Sequence, residues 1–250
     1  MIHHDRRNSV EVLRLEHGKV QAIDLELLRD IEASLDRVDQ GDASAVVMTG
    51  TGSSFSAGVN LFRIVESDKA YVTEFLAALT RTLHRIFAYP RPIVAALNGH
   101  AIAGGCVVAA ACDHRLMARG GGKIGVTELL VGVPFPVAAL ESMRHLLPAA
   151  VLQDLVLSGR TVGPEEALQL GLVQELSDPP ELMPAAIAVA EQFGRIPRAA
   201  FVHSKMQLRA PALDRMRDTA PDAAMAAVWS APETAAAIRD YLARTVGRKS

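Results

Sequence analysis

At 250 residues, half of them apolar, with a formal net charge of −2, the chain is long enough to bury a large core. It is too apolar and too evenly charged for a disordered segment or a nucleic-acid binder, which would cluster Lys and Arg. Cys106 and Cys112 have neither a zinc spacing nor a disulfide framework, no run of about 18 apolar residues suggests a membrane span, and no apolar leader follows MIHHDRRNSVEV, so the expectation is a cytoplasmic protein acting on a small molecule.

Val10 to Leu15 alternates apolar and polar residues as a half-buried strand does, and Lys19 to Ile23, after Gly18, offers a hairpin partner. Asp24 suits the N-cap of a helix from Leu25 to Val38, in which Leu27, Leu28, Ile31, Leu35 and Val38 share one face. Ala45 to Thr49 reads as an apolar strand leading to a turn at Gly50 to Ser54. That turn lacks the terminal Gly-Lys-Ser/Thr of a phosphate-cradling loop, which excludes nucleoside-triphosphate binding there. Asp68 to Tyr89 is one amphipathic helix, stopped by Pro90-Arg91-Pro92, with His84 at its surface or core edge.

Pro92 to Leu97 then forms a strand, Asn98-Gly99 a turn, and Gly104-Gly105 opens a run of small and apolar residues long enough for a buried helix. Further on, His114 to Ala118 is a short strand, Gly120 to Gly122 a turn and Val137 to Leu147 a helix. Leu152 to Leu157, Pro164 to Leu170 and Glu181 to Phe193 are helical, with Gly163-Pro164 as a start and Gly171 as a stop. The tail from Ala199 to Gly247 is helix-forming and broken at Pro211, Pro221 and Pro232.

Glycines at a helix entry expose main-chain N–H groups without intrahelical partners, at the end whose partial positive charge favours an anion. Gly58, in Phe55-Ser56-Ala57-Gly58-Val59-Asn60-Leu61, exposes a second such N–H on Val59, so that the Val59 and Gly104 amides could meet on one carbonyl oxygen. Together FSAGVNL, NGHAIAGGCVVAAACDHRLMA, IGVTELLVGV and LSGRTVGPEEALQLGLV resemble, in order and spacing, the crotonase family of enoyl-CoA hydratases and isomerases. The likeness spans nearly the whole chain.

That resemblance implies an α/β fold, a spiral of ββα units over residues 1–195, with a helical region at 196–250 that packs at a trimer interface and lids the site. It implies an acyl-CoA thioester as substrate, a homotrimer or hexamer, and no cofactor beyond the coenzyme A of the substrate. Lys19, Val20 and Ala22 would lie near the adenine and pyrophosphate, although the same residues read equally well as a strand with a solvated lysine. Ser56, Ala57 and Gly105 would border the thioester, and Leu130, Phe135 and residues of the Asp68 to Tyr89 helix the acyl pocket.

Glu128 stands where the family carries a catalytic glutamate, among apolar Val126, Leu129 and Leu130 that would raise its pKa; the alternative is a salt-bridged or helix-capping glutamate. Two departures matter. Val107 occupies the position of the hydratases' second glutamate, which points to the isomerase branch, and Asn60 stands where Asp is common. Pro136 stands where a dienoyl-isomerising member would need a further acid. No spacing among His100, His114 and His145 suggests a metal, and Ser56 has no His-Asp partners at hydrolase positions.

Overall fold

The computed structural model describes residues 1–218 and 220–245. In chain order the elements are β1 (Ile2–Arg7), β2 (Val10–Leu15), α1 (Leu25–Gln40), β3 (Ala45–Thr49), β4 (Ser54–Ser56), α2 (Leu61–Glu66), α3 (Lys69–Phe87), β5 (Ile93–Leu97), β6 (His100–Ile102), α4 (Gly104–Ala111), β7 (His114–Ala118) and β8 (Ile124–Gly125). There follow α5 (Glu128–Val131), α6 (Val137–Leu146), α7 (Ala149–Ser158), β9 (Thr161–Val162), α8 (Pro164–Leu170), β10 (Glu175–Ser177), α9 (Leu182–Gly194), α10 (Arg198–Met216), α11 (Ala220–Trp229) and α12 (Pro232–Thr245).

Three times in succession a long strand, a short strand and a helix follow one another. The long strands β3, β5 and β7 pair in parallel in a sheet ordered β1-β2-β3-β5-β7-β10, and the short strands β4, β6 and β8 pair in parallel in a sheet ordered β4-β6-β8-β9. The chain therefore winds as a spiral of ββα turns. The long strands are apolar at consecutive positions because both faces are covered. Ala45 and Val47 of β3 pack with Leu182, Ala186 and Ala190 of α9, whereas Val46 and Met48 enter the main core with α1 and α3.

α1 starts at Asp24, whose carboxylate accepts the Leu27 N–H at 3.0 Å, and buries the five expected apolar residues. All eight residues of α4 are buried. At its far end Arg115 donates to the Ala109 and Cys112 carbonyls, and Arg209 of α10 to those of Ala111 and Cys112, which places cations at the negative end of the helix dipole. Lys205 of α10 bonds Asp113 at 2.8 Å, so α10 is keyed to the spiral by buried ion pairs.

Two expectations are corrected. The hairpin partner of β2 is β1, reached through a turn with Asn8 at φ 52°; Lys19 to Ile23 forms no hairpin and instead runs beside residues 57–60, with Ala57 N–H donating to Val20 O at 2.9 Å and Ile23 N–H to Gly58 O at 2.8 Å. Pro211 does not break α10, because its turn faces solvent and water can satisfy the carbonyl that Pro leaves free. The short β4, β6 and α2 were not anticipated. The expected tail helix reaches Thr245, and its extension to 247 lies outside the described residues.

Candidate active site

The end of β6 and the loop after β4 come together at one point. Gly58, at φ 89°, is so close to the other segment that a Cβ there would lie 2.7 Å from Ile102 O, 2.9 Å from Ala103 Cβ and 3.2 Å from Gly104 N. Such an approach requires glycine. A Cβ on Gly104 would in turn lie 3.7 Å from Val59 N. The amides of Val59 and Gly104 are thus neighbours, and among the described residues neither donates to a protein acceptor.

Ala103 holds Gly104 in place at a cost. Its φ of 51° and ψ of −123° are rare for a residue with a side chain, and such strain costs about 1–3 kcal/mol. Hydrogen bonds on both sides hold it: Ala103 N–H donates to Gly125 O at 2.8 Å, and its carbonyl accepts Val107 N–H at 3.1 Å to open α4. This strain is not legible in the residues, since alanine carries no signature for a positive φ.

Glu128 opens α5 and is buried, 7% exposed. Its Oε2 has no hydrogen-bond partner among the described residues. Burial pushes its pKa up to about 7 from an ordinary 4.5, against the smaller opposing pull of the main-chain N–H groups of Glu128 and Thr127. The Cys106 thiol, in the first turn of α4, is itself pushed up by burial and then by the nearby Glu128 carboxylate, which locates that carboxylate beside the start of α4.

A cavity of about 80 Å³ joins these groups. Val59, Gly104, Ala57 and Ala103 line it beside Glu128 and Thr127, and Leu79, Leu83, Val107, Val131, Val133, Pro136 and Ala139 continue it as an apolar wall. Trp229 and Tyr241, from α11 and α12, complete the lining. Among the described residues Glu128 is its only carboxylate, and Val107, 1% exposed, lines the same space. Two free amides near one partly protonated carboxylate in an apolar cavity suit a reaction that develops charge on oxygen while a proton moves.

The remaining expected residues divide. Lys19 and Val20 are exposed, and Ala22 is half-buried, on the loop flanking residues 57–60. Ser56 is buried, its hydroxyl donating to Gln21 O at 2.7 Å and accepting Gly58 N–H at 3.2 Å, so it braces the loop from behind. Gly105 likewise serves packing, since a Cβ there would lie 2.3 Å from Ser56 O. Leu130 and Phe135 are corrected: neither lines the cavity. α5 is a single turn, so Glu128 and Val131, three apart, share the inward face, and Leu130, 52% exposed, covers Gly159 instead. Phe135 packs half-buried against the core while the next residue, Pro136, meets the cavity.

Trp229 was not anticipated, although it is the chain's single tryptophan. It is 4% exposed, its indole N–H donates to Pro134 O at 2.9 Å and its ring sits 6.4 Å from that of Phe75. Replacing it with alanine should destabilise the fold by about 3–5 kcal/mol. Denaturant melts of parent and variant check this, and equal stability would mean that the Trp229 ring adds nothing to the packing around the cavity.

A ββα spiral whose cavity is lined by a buried glutamate and two free amides belongs to the crotonase class of fold. The enoyl-CoA hydratase/isomerase family profile matches residues 5–248, and the chain belongs to that family. A putative enoyl-CoA hydratase of Thermus thermophilus is 37% identical over 213 residues, covering 82% of this chain and 79% of the relative. The apo structure of a Mycobacterium tuberculosis enoyl-CoA isomerase superposes with a TM-score of 0.81 at 30% identity, covering 86% of this chain and 94% of the other. Human mitochondrial delta3-delta2-enoyl-CoA isomerase shares the fold over 100% of this chain and 99% of its own, with a TM-score of 0.93 at 24% identity.

Proposed function

We propose that the protein moves the double bond of a 3-enoyl-CoA thioester to the 2,3 position. The thioester oxygen accepts the Val59 and Gly104 N–H groups, and the Glu128 carboxylate removes a proton from C2. The electron pair becomes an enolate, whose negative oxygen those amides stabilise, each such donor contributing about 3 to 4 kcal/mol. The electrons then return through C2–C3, and the Glu128 carboxyl delivers the proton to C4. One base, acting twice on one face, completes the reaction, and no water enters the products.

The observation that carries this reading is that the cavity holds one carboxylate among the described residues, Glu128, together with Val107. Adding water across a double bond calls for a group to activate the water and one to deliver its proton, and valine can do neither. The loop of Lys19, Val20 and Ala22, which runs beside residues 57–60, is proposed to contact the adenine and pyrophosphate of the coenzyme A, and the working protein is proposed to be a homotrimer or hexamer.

Purified protein given 3-enoyl-CoA esters of several chain lengths should form the conjugated 2-enoyl thioester, followed by mass spectrometry and ultraviolet absorbance. A hydrated product as the main species would assign the site to the chemistry in the Thermus relative's name. Stabilisation by the esters with no conversion of any of them would make the protein an acyl-CoA binder.

A further inference from the structure

The Val59 donor is held from behind by side chains that the proposed reaction does not use. Ile23 exchanges main-chain hydrogen bonds with the residues on either side of it: Ile23 N–H to Gly58 O at 2.8 Å, and Asn60 N–H to Ile23 O at 2.8 Å. The next residue, Asp24, is 8% exposed. Its Oδ1 caps α1, and its Oδ2 bonds His17 Nε2 at 2.9 Å and accepts the Asn60 amide Nδ2 at 3.4 Å. Asn60 also caps α2, its Oδ1 accepting Arg63 N–H at 3.2 Å. One carboxylate therefore joins the turn at His17, the start of α1 and the residue immediately after the amide donor.

We infer that Asp24 and Asn60 form a positioning pair that fixes the Val59 N–H in the oxyanion site, an inference that rests on the isomerase reading only for its catalytic readout. Burial alone would raise the Asp24 pKa, but the hydrogen bonds from His17 and the Leu27 N–H outweigh it and hold the carboxyl below its ordinary value. An ionised Asp24 needs a donor opposite it. Asn60 supplies one while its carbonyl oxygen caps α2, a double task that an ionised carboxylate, which only accepts, does not perform.

Aspartate at position 60 would still cap a helix. It would also set a second carboxylate against Asp24 in a largely buried place, where like charges repel more strongly than in water. The basic side chains around the pair are already engaged, His17 with Asp24 and Arg63 with Glu26 at 3.4 Å. The pair thus gives position 60 a role that the helix cap alone does not explain.

The test uses Asn60→Asp, Asp24→Asn and the double variant in which amide and carboxylate trade places. Asn60→Asp should lower kcat by about tenfold or more, since small misplacements of a catalytic donor are costly, and leave KM within about twofold. Asp24→Asn, which adds no charge, should lose less, and the double variant should regain most of the parental kcat. Amide hydrogen exchange of the peptide spanning 57–60 should quicken in Asn60→Asp and slow again in the double variant. That readout follows the loop itself and decides the inference even if the parent turns over no 3-enoyl-CoA. Parental exchange in Asn60→Asp, or a double variant no better than it, would overturn the pairing.

Discussion

Glu128→Gln should lower double-bond migration by roughly a thousandfold or more, because general acid–base transfer by a positioned side chain accounts for gains of that order and no second carboxylate among the described residues lines the cavity to replace it. Binding of CoA esters should persist, since an amide keeps the size and shape of the side chain and the Val59 and Gly104 donors are untouched. Isothermal titration with a 3-enoyl-CoA, alongside turnover, separates the two quantities. A variant that still turns over at the parental rate would move the base elsewhere.

The same residue sets the pH dependence. Removal of a proton requires the ionised form, so kcat/KM should rise with pH through about 7, the value to which burial pushes Glu128. Stability runs the other way. The folded pKa lies above the ordinary carboxylate value, so the folded state holds a proton that the unfolded chain releases. The stability tied to this group is fully present below about 4.5 and is lost as the pH rises through about 7, a change on the order of 3 kcal/mol. Glu128→Gln should abolish that contribution, leaving the variant relatively more stable than the parent at pH 8. Denaturant melts of both proteins at pH 5 and pH 8 check it, and parallel pH trends would contradict a buried, uncompensated carboxylate.

Gly58→Ala should be the second severe lesion. A methyl group at φ 89° costs about 1–2 kcal/mol on conformational grounds, and it would also sit 2.7 Å from Ile102 O. Relief requires the loop to leave Gly104, which separates the two amides. Turnover should fall by about a hundredfold or more, the usual loss for one oxyanion donor. Gly171→Ala is the control: its φ is 81°, but no atom lies within 4 Å of the added Cβ. It should carry the strain cost in thermal unfolding and retain parental turnover. Equal losses of activity in the two variants would detach the Gly58 contact from catalysis.

Much of this was legible where local chemistry dictates backbone geometry. Glycines at 58 and 104, each after an apolar strand, marked the loops, and the resemblance to the crotonase family singled out Glu128, which its apolar neighbours alone left open as a salt-bridged or helix-capping glutamate. Features made by distant contacts were not legible. Leu130 follows Glu128 by two residues and is as apolar as Val131, and only the single-turn length of α5 sends it outward. Trp229 meets the cavity because α11 packs across α3 and bonds Pro134 O, whereas the Ala-rich sequence around it lacks a strong apolar stripe. The segment from Lys19 to Ile23 has a strand's composition and does lie alongside another extended segment. Gln21, at φ 50° with its side-chain amide donating to Thr51 O and Ser54 O, turns it toward residues 57–60 instead of β2.

Glu128 is 7% exposed with one oxygen lacking any partner among the described residues, so a proton it takes from C2 has little access to solvent before it is returned. A 3-enoyl-CoA carrying deuterium at C2, followed at early conversion by mass spectrometry and NMR of the 2-enoyl product, tests this directly. Deuterium at C4 of a product that contains no added oxygen is the expected result. A 3-hydroxyacyl product, or a 2-enoyl product whose C4 never carries the label, would contradict transfer by a single carboxylate.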